Sequence, residues 1–178
     1  MENQQYPKWK HSLMYGIYLG VALIILSLVF YILDLHGETW TSYVSYAFIL
    51  GGVILASVTY REKYLNGFIT YGQSFSTGFL AGLFAAIISA VFTYFFIGYL
   101  GEEFMDLMMQ ISEEKILNDR PDISDAELDL ALSWTQKMMT PTWISVIVLL
   151  GSTFFSLVFA LIASIFIKKE NNSIESTD

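Results

Sequence analysis

The chain contains no cysteine, which excludes disulfides, zinc–thiolate sites, iron–sulfur clusters and thiol nucleophiles. Basic residues are scarce: nine Lys and Arg stand against seventeen Asp and Glu, for a formal net charge of −8. Nucleic acid is bound mainly through Lys and Arg at its phosphates, so no nucleic-acid partner is expected, and no polybasic membrane anchor. Charge of either sign is thin, at 15% of residues against roughly 25% in an ordinary soluble domain. There are two histidines, His11 near the start of the first apolar run and His36 beyond its end. No nucleophile and base stand together at a recognisable spacing, and no phosphate-cradling glycine loop is present. No enzyme activity and no cofactor are therefore expected.

What the chain has in quantity is apolar length. A bilayer core of roughly 30 Å needs about 20 helical residues. Four runs meet that length: about 13–33, 42–60, 75–100 and 143–167. None contains Asp, Glu, Lys or Arg. The first is too long and too uniform for a signal-peptide core and reads as a retained span. The second is the most polar, with three serines and a threonine whose hydroxyls need partners in a neighbouring turn or helix. Thr140–Pro141 opens the fourth, a capping residue followed by a proline suited to the first turn. Inside lipid every backbone group must be satisfied within the segment, so the runs must be helical. The expected fold is all-α, a polytopic membrane protein built on a four-helix transmembrane bundle. Residues 1–12 form an N-terminal segment, 13–167 a single membrane domain, and 168–178 a polar tail.

Basic residues next to span ends set orientation. Lys8 and Lys10 precede span one, Arg61 and Lys63 lie between spans two and three, and Lys168 and Lys169 follow span four. Four spans put these six on one side. That side is predicted to be the cytoplasm, with both termini in it. Trp9, Tyr60 and Tyr71 would mark the inner boundary, and Trp40, Tyr43, Tyr99 and Trp143 the outer one, because amphipathic rings favour headgroup depth.

Lipid gives helices no hydrophobic reason to associate, so small residues that admit close approach become decisive. Span three carries Gly78, Gly82, Ala86 and Ala90 at four-residue spacing. Gly16 and Gly20 in span one, and Gly52 in span two, are the corresponding small positions. Packing within one bundle is the favoured role; a dimer interface or a permeation path is the sharper alternative. The span cores as bounded above hold no ionisable group, and such groups are what mark ion-coupled transport.

The acidic excess is concentrated in the loop 101–140, which holds ten acidic and three basic side chains, a net of −7. Phe104, Met108, Ile111 and Ile116 suggest one amphipathic helix, stopped at Arg120–Pro121. Ser124 with Glu127 three residues on is a capping box opening a second, whose apolar face is predicted from Leu128, Leu132, Met138 and Met139. The loop is thus expected to be an amphipathic helical hairpin on the outer side. Two clusters admit a metal reading beside a plainer one. Met105, Met108 and Met109 offer thioethers suited to copper(I), but methionine is also an adaptable apolar filler. Asp34, His36 and Glu38 could hold zinc, but such residues are equally at home in a polar turn. No metal is expected at either.

Between spans two and three the chain reads Gly67-Phe68-Ile69-Thr70-Tyr71-Gly72-Gln73-Ser74-Phe75. Here Tyr71 can anchor at the interface, Gly72 can allow a tight turn into the span, and Gln73 can bond free backbone groups at the helix start. This stretch, with four spans, a long loop before the last and a short charged tail, resembles the domain-of-unknown-function 4199 family of small bacterial membrane proteins, found mainly in Bacteroidetes. The resemblance covers roughly residues 8–169. It implies a multi-pass protein of a bacterial inner membrane, which would make the outer side the periplasm, and supplies no catalytic residues. The expectation is a non-enzymatic accessory or scaffold; the alternative is a small transporter or channel subunit working as an oligomer. Expected partners are the lipid bilayer and either a membrane protein or further copies of the chain. The orientation is checked by fusing a reporter active only outside the cytoplasm near Arg120 and at the C-terminus. Activity at the first and silence at the second are expected; the reverse pattern inverts the topology.

Overall fold

A computed structural model describes residues 7–35 and 38–169, with the side chains of Glu102 and Glu103 outside the description. The described residues are all-helical: α1 Lys8–Ile32, α2 Trp40–Tyr64, α3 Tyr71–Asp119, α4 Asp125–Met138 and α5 Pro141–Ile167. Four helices are long and apolar enough to cross a membrane, the third being Tyr71–Gly101 of α3.

The helix ends follow from local chemistry. Pro7 has no N–H, and its carbonyl accepts from Lys10 and His11, so α1 begins five residues before the apolar run. At its other end Asp34 takes a positive φ of 53°. The Asp34 N–H donates to Tyr31 and the Leu35 N–H to Phe30, the paired bonds of a Schellman stop. Thr70 and Gln73 cap α3 reciprocally: the Thr70 N–H donates to Gln73 Oε1 at 3.1 Å, and the Gln73 N–H to Thr70 Oγ1 at 3.3 Å. The Trp143 N–H donates to Thr140 Oγ1 at 3.3 Å, so the Thr-Pro pair opens α5. Gly101, at φ 72° and ψ −158°, kinks α3 in a conformation open essentially to glycine alone.

The chain divides into two compact units, one formed by residues 1–89 and 149–178 and the other by 90–148. α3 runs from the first unit into the second after Ser89, and α5 returns from the second into the first after Val148.

The first unit is built inside out relative to a soluble protein. Its buried positions are mostly small: Ala56, Ala81, Ala85, Ala86, Ala160 and Ala163, with Ser12, Ser57, Ser74, Thr77, Ser156 and Ser164 among them. The large apolar side chains, such as Ile25, Leu55, Phe154 and Phe166, are exposed to where lipid would lie. α3 is the hub. A Cβ on Gly16 would stand 2.5 Å from Phe84 Cβ and 2.8 Å from the Ala81 carbonyl oxygen, so α1 meets α3 backbone to backbone. Gly20 lies against Ile88 one turn on, which makes α1 and α3 parallel. Gly78 faces Val53 and Ser57 of α2, and Gly52 receives the Leu19 side chain of α1. Gly82 lies against Ser156 of α5, whose Oγ and Cβ fill the place of a side chain. Ala86 is fully buried in this unit. Ala90, already in the second unit, is also buried. The span-three stripe therefore meets two different helices, α2 at Gly78 and α5 at Gly82. Rings complete the α2–α5 contact, with Tyr46 and Phe155 4.0 Å apart.

In the second unit, Phe104, Met108, Ile111 and Ile116 are half-buried along 102–119, on the face the spacing predicts. α4 departs from its predicted face. Leu128, Leu132 and Met139 are half-buried, but Met138 is exposed. Met138 lies one turn beyond Trp134, on a different side of the helix from Leu128 and Leu132.

Gly16→Ala is expected to destabilise the protein by about 1–3 kcal/mol, since the new methyl meets a carbonyl and a Cβ that cannot both retreat. Gly82→Leu should cost at least as much. Gly98→Ala, where a Cβ meets nothing within 4 Å, should be neutral or stabilising by up to about 1 kcal/mol. Thermal unfolding in detergent, measured for all three, checks the ranking.

Candidate functional site

The most unusual chemistry lies where the basic residues gather. His11 sits in the first turn of α1 and is fully buried. Its Nε2–H donates to the Ala56 carbonyl oxygen of α2 at 2.9 Å, with Thr59 Oγ1 at 3.3 Å. Three tyrosine rings enclose the imidazole: Tyr15 at 4.6 Å between centroids, Tyr60 at 5.1 Å and Tyr64 at 5.5 Å. Nδ1 is sealed from solvent and finds no hydrogen-bond partner among the described residues. Leaving a buried polar atom unmatched costs about 1–3 kcal/mol. His11 lies outside the uncharged run 13–33, yet α1 starts early enough to carry it inside. Tyr60 is 2% exposed and packs on His11, so its ring lies inside the bundle.

A row of hydroxyls lies beside this cage. Ser12 donates to the Thr77 carbonyl, and Ser57 to the Ser74 carbonyl, each at 3.0 Å. Ser164 donates to Ser74 Oγ at 3.0 Å, and Thr77 to the Gln73 carbonyl at 2.8 Å. α1, α2 and α5 are thus all tied to the first turns of α3. Ser156 Oγ, further along, is buried and unmatched among the described residues.

The end of this unit is clamped by longer side chains. Arg61 donates from Nη1 to the Ile167 carbonyl at 2.9 Å, satisfying the exit of α5, while Nη2 pairs with Glu62 at 2.8 Å. Ile69 and Lys169 exchange both backbone bonds at 2.9 Å, joining the α2–α3 turn to the end of α5. Tyr71 donates to the Leu161 carbonyl at 3.3 Å. The residues of the Tyr-Gly-Gln stretch therefore have structural duties, with one exception. Gly72 is helical, and a Cβ there would meet nothing within 4 Å, so no tight turn requires it. The strained turn lies earlier, at Asn66 and Gly67, with φ of 51° and 83°.

Asp34 forms the stop of α1, the Glu38 carbonyl accepts from Thr41 Oγ1 at 2.7 Å, and His36 lies outside the described residues. Among the described residues no three His, Asp or Glu side chains converge as a metal site. Met105, Met108 and Met109 are half-buried along one side of 102–119. In the acidic segment, the Ser124 hydroxyl and backbone N–H both donate to Glu127 Oε2, at 2.8 and 3.3 Å. These two bonds, the hydroxyl first, hold the Glu127 carboxyl below the usual glutamate range.

Sequence reasoning passed over His11 because Lys8 and Lys10 flank it, as in a headgroup segment. The available signal was aromatic spacing: Tyr15 stands four residues after His11, and Tyr64 four after Tyr60, so each pair shares a helix face.

His11→Phe is expected to shift stability by no more than about 1 kcal/mol in either direction. It loses one hydrogen bond, but it also removes the unmatched Nδ1. His11→Ala, which empties the tyrosine cage, should cost about 3–5 kcal/mol. Thermal melts of both variants in detergent check this; equal losses would mean that the hydrogen bond to Ala56 dominates.

A family model described as a protein of unknown function, DUF4199, matches residues 14–169. No curated protein and no solved structure matches the chain.

Proposed function

The chain belongs to the DUF4199 family, and from that premise we propose that it is a non-enzymatic accessory or scaffold protein of a bacterial inner membrane. Both termini lie in the cytoplasm, and the acidic helical segment 101–140 faces the periplasm. One observation carries this reading: α4 buries none of its residues and holds Asp125 and Asp129, one turn apart, both exposed. A helix that contributes so little to a core is free to present its charged row to another protein, and complementary charge gives such contacts specificity. The imidazole of His11 supports the non-enzymatic half. It is closed in by three tyrosines and α2, out of reach of a substrate in water.

The buried hydroxyl row favours a second reading, a small transporter or channel subunit working as an oligomer. Ser, Thr and backbone carbonyls are groups that can line a solute path.

The two readings are separated by purifying the chain from native membranes in mild detergent. The scaffold reading expects a second membrane protein at fixed stoichiometry, with recovery reduced several-fold by the pair Asp125→Asn and Asp129→Asn. Recovery of the chain only as copies of itself, with solute flux in reconstituted vesicles, would favour the transporter.

A further inference from the structure

α4 carries two apolar rows where one would suffice to seat it. The first, Leu128, Leu132 and Met139, is half-buried. The second, Leu130, Trp134 and Met138, recurs once per turn and is open: 60%, 60% and 49% exposed. Lys137 lies over the Trp134 ring at 5.0 Å, beside this row. Asp125, Asp129 and Gln136 are exposed on another side, roughly 100–140° around the helix axis from Leu130.

We propose that the Leu130–Trp134–Met138 row lies in the headgroup–acyl boundary of the bilayer, so that α4 is an interfacial helix lying along the membrane surface. Continuity argues for lipid as the occupant. Met138 is three residues from Pro141, where the membrane-crossing helix α5 begins. Within the same unit, Trp143 and Ile147 at the start of α5 are exposed apolar residues as well. A chain that enters the bilayer at Pro141 cannot hold Met138 far from its surface.

Size argues the same way. A stable protein interface takes roughly 20–30 residues a side, and three side chains fall well short of that. An interfacial helix needs only an apolar strip reaching about 5–10 Å into the boundary. Tryptophan favours that depth, and Lys137 can extend its ammonium to the phosphates while its stem lies on the indole. Three acids in the first five residues, Asp125, Glu127 and Asp129, make zwitterionic lipid the fitting surface. With the row turned down, Asp125 and Asp129 are turned away from the row, toward water.

This inference does not rest on the scaffold reading. A row found in lipid with no partner protein recovered would remove that reading and leave this one intact.

The absence of cysteine makes site-directed spin labelling direct. The full chain is prepared with single cysteines at 130, 134 and 138, and separately at 125, 129 and 136, and reconstituted in phosphatidylcholine vesicles at high dilution. Collision with oxygen is compared with collision with a water-soluble nickel chelate. The oxygen-to-nickel ratio should be roughly twofold or more higher at the first three sites than at the second. Equal ratios at all six would put the helix in water, and labels at 130, 134 and 138 shielded from both reagents would put the row against protein; either result overturns the proposal. The unsubstituted chain supplies a check free of folding effects. A phosphatidylcholine with a photoreactive group near its headgroup should mark peptides containing Leu130–Met138 as well as those containing Trp143–Leu150. Marking of the second alone also overturns it.

Discussion

Close approach of backbones along α3 is the constraint on which the membrane unit depends. Lipid and leucine are equally apolar, so burying large side chains between helices gains little. What separates a packed bundle from four independent spans is contact too short for lipid to replace. Gly16 against the Ala81 carbonyl and Gly82 against Ser156 are contacts of that kind. They also bring the serines within reach of carbonyls. Ser12 and Ser57 could not bond to α3 if a larger residue held α1 or α2 away. The small-residue packing and the polar network are therefore one device. The first sets the distance and the second uses it.

His11 belongs to the same device and is its costliest member. It spans from α1 to the Ala56 carbonyl as the serines span to α3, yet it brings a second nitrogen that nothing among the described residues matches. The aromatic cage explains how the ring is tolerated: three tyrosine rings offer contact to its faces and edges. The cage does not account for the unmatched atom. A phenylalanine would fill the same space without one.

Much of the architecture was legible in the residues. Four uncharged runs name the spans, Ser124 with Glu127 names the start of α4, and Thr140–Pro141 names the start of α5, because caps and span length are local. The stripe at 78, 82, 86 and 90 pointed to close packing, although not to its division between α2 and α5, which depends on the azimuth of each neighbour. His11 was illegible for a related reason. What buries it comes from Tyr60 and Tyr64, about fifty residues away, while its own neighbours Lys8 and Lys10 suggest exposure. In α4 the pattern itself was ambiguous. Apolar residues at 128, 130, 132 and 134 alternate, so no single helical face collects them. The face predicted from Leu128, Leu132, Met138 and Met139 mixed the two rows, since Met138 belongs with Leu130 and Trp134.

The bonds that converge on Ser74 also impose an order on assembly. Spans leave the biosynthetic machinery in chain order, so Ser57 reaches the bilayer before the Ser74 carbonyl it will use, and Ser164 comes last of all. α2, the most polar span, must therefore wait for α3, and α3 keeps an unfilled hydroxyl site until α5 arrives. The Ile69–Lys169 exchange and the Arg61 bond to Ile167 can close only after that. α5 thus works as a latch, closing a polar seam that the earlier helices leave open.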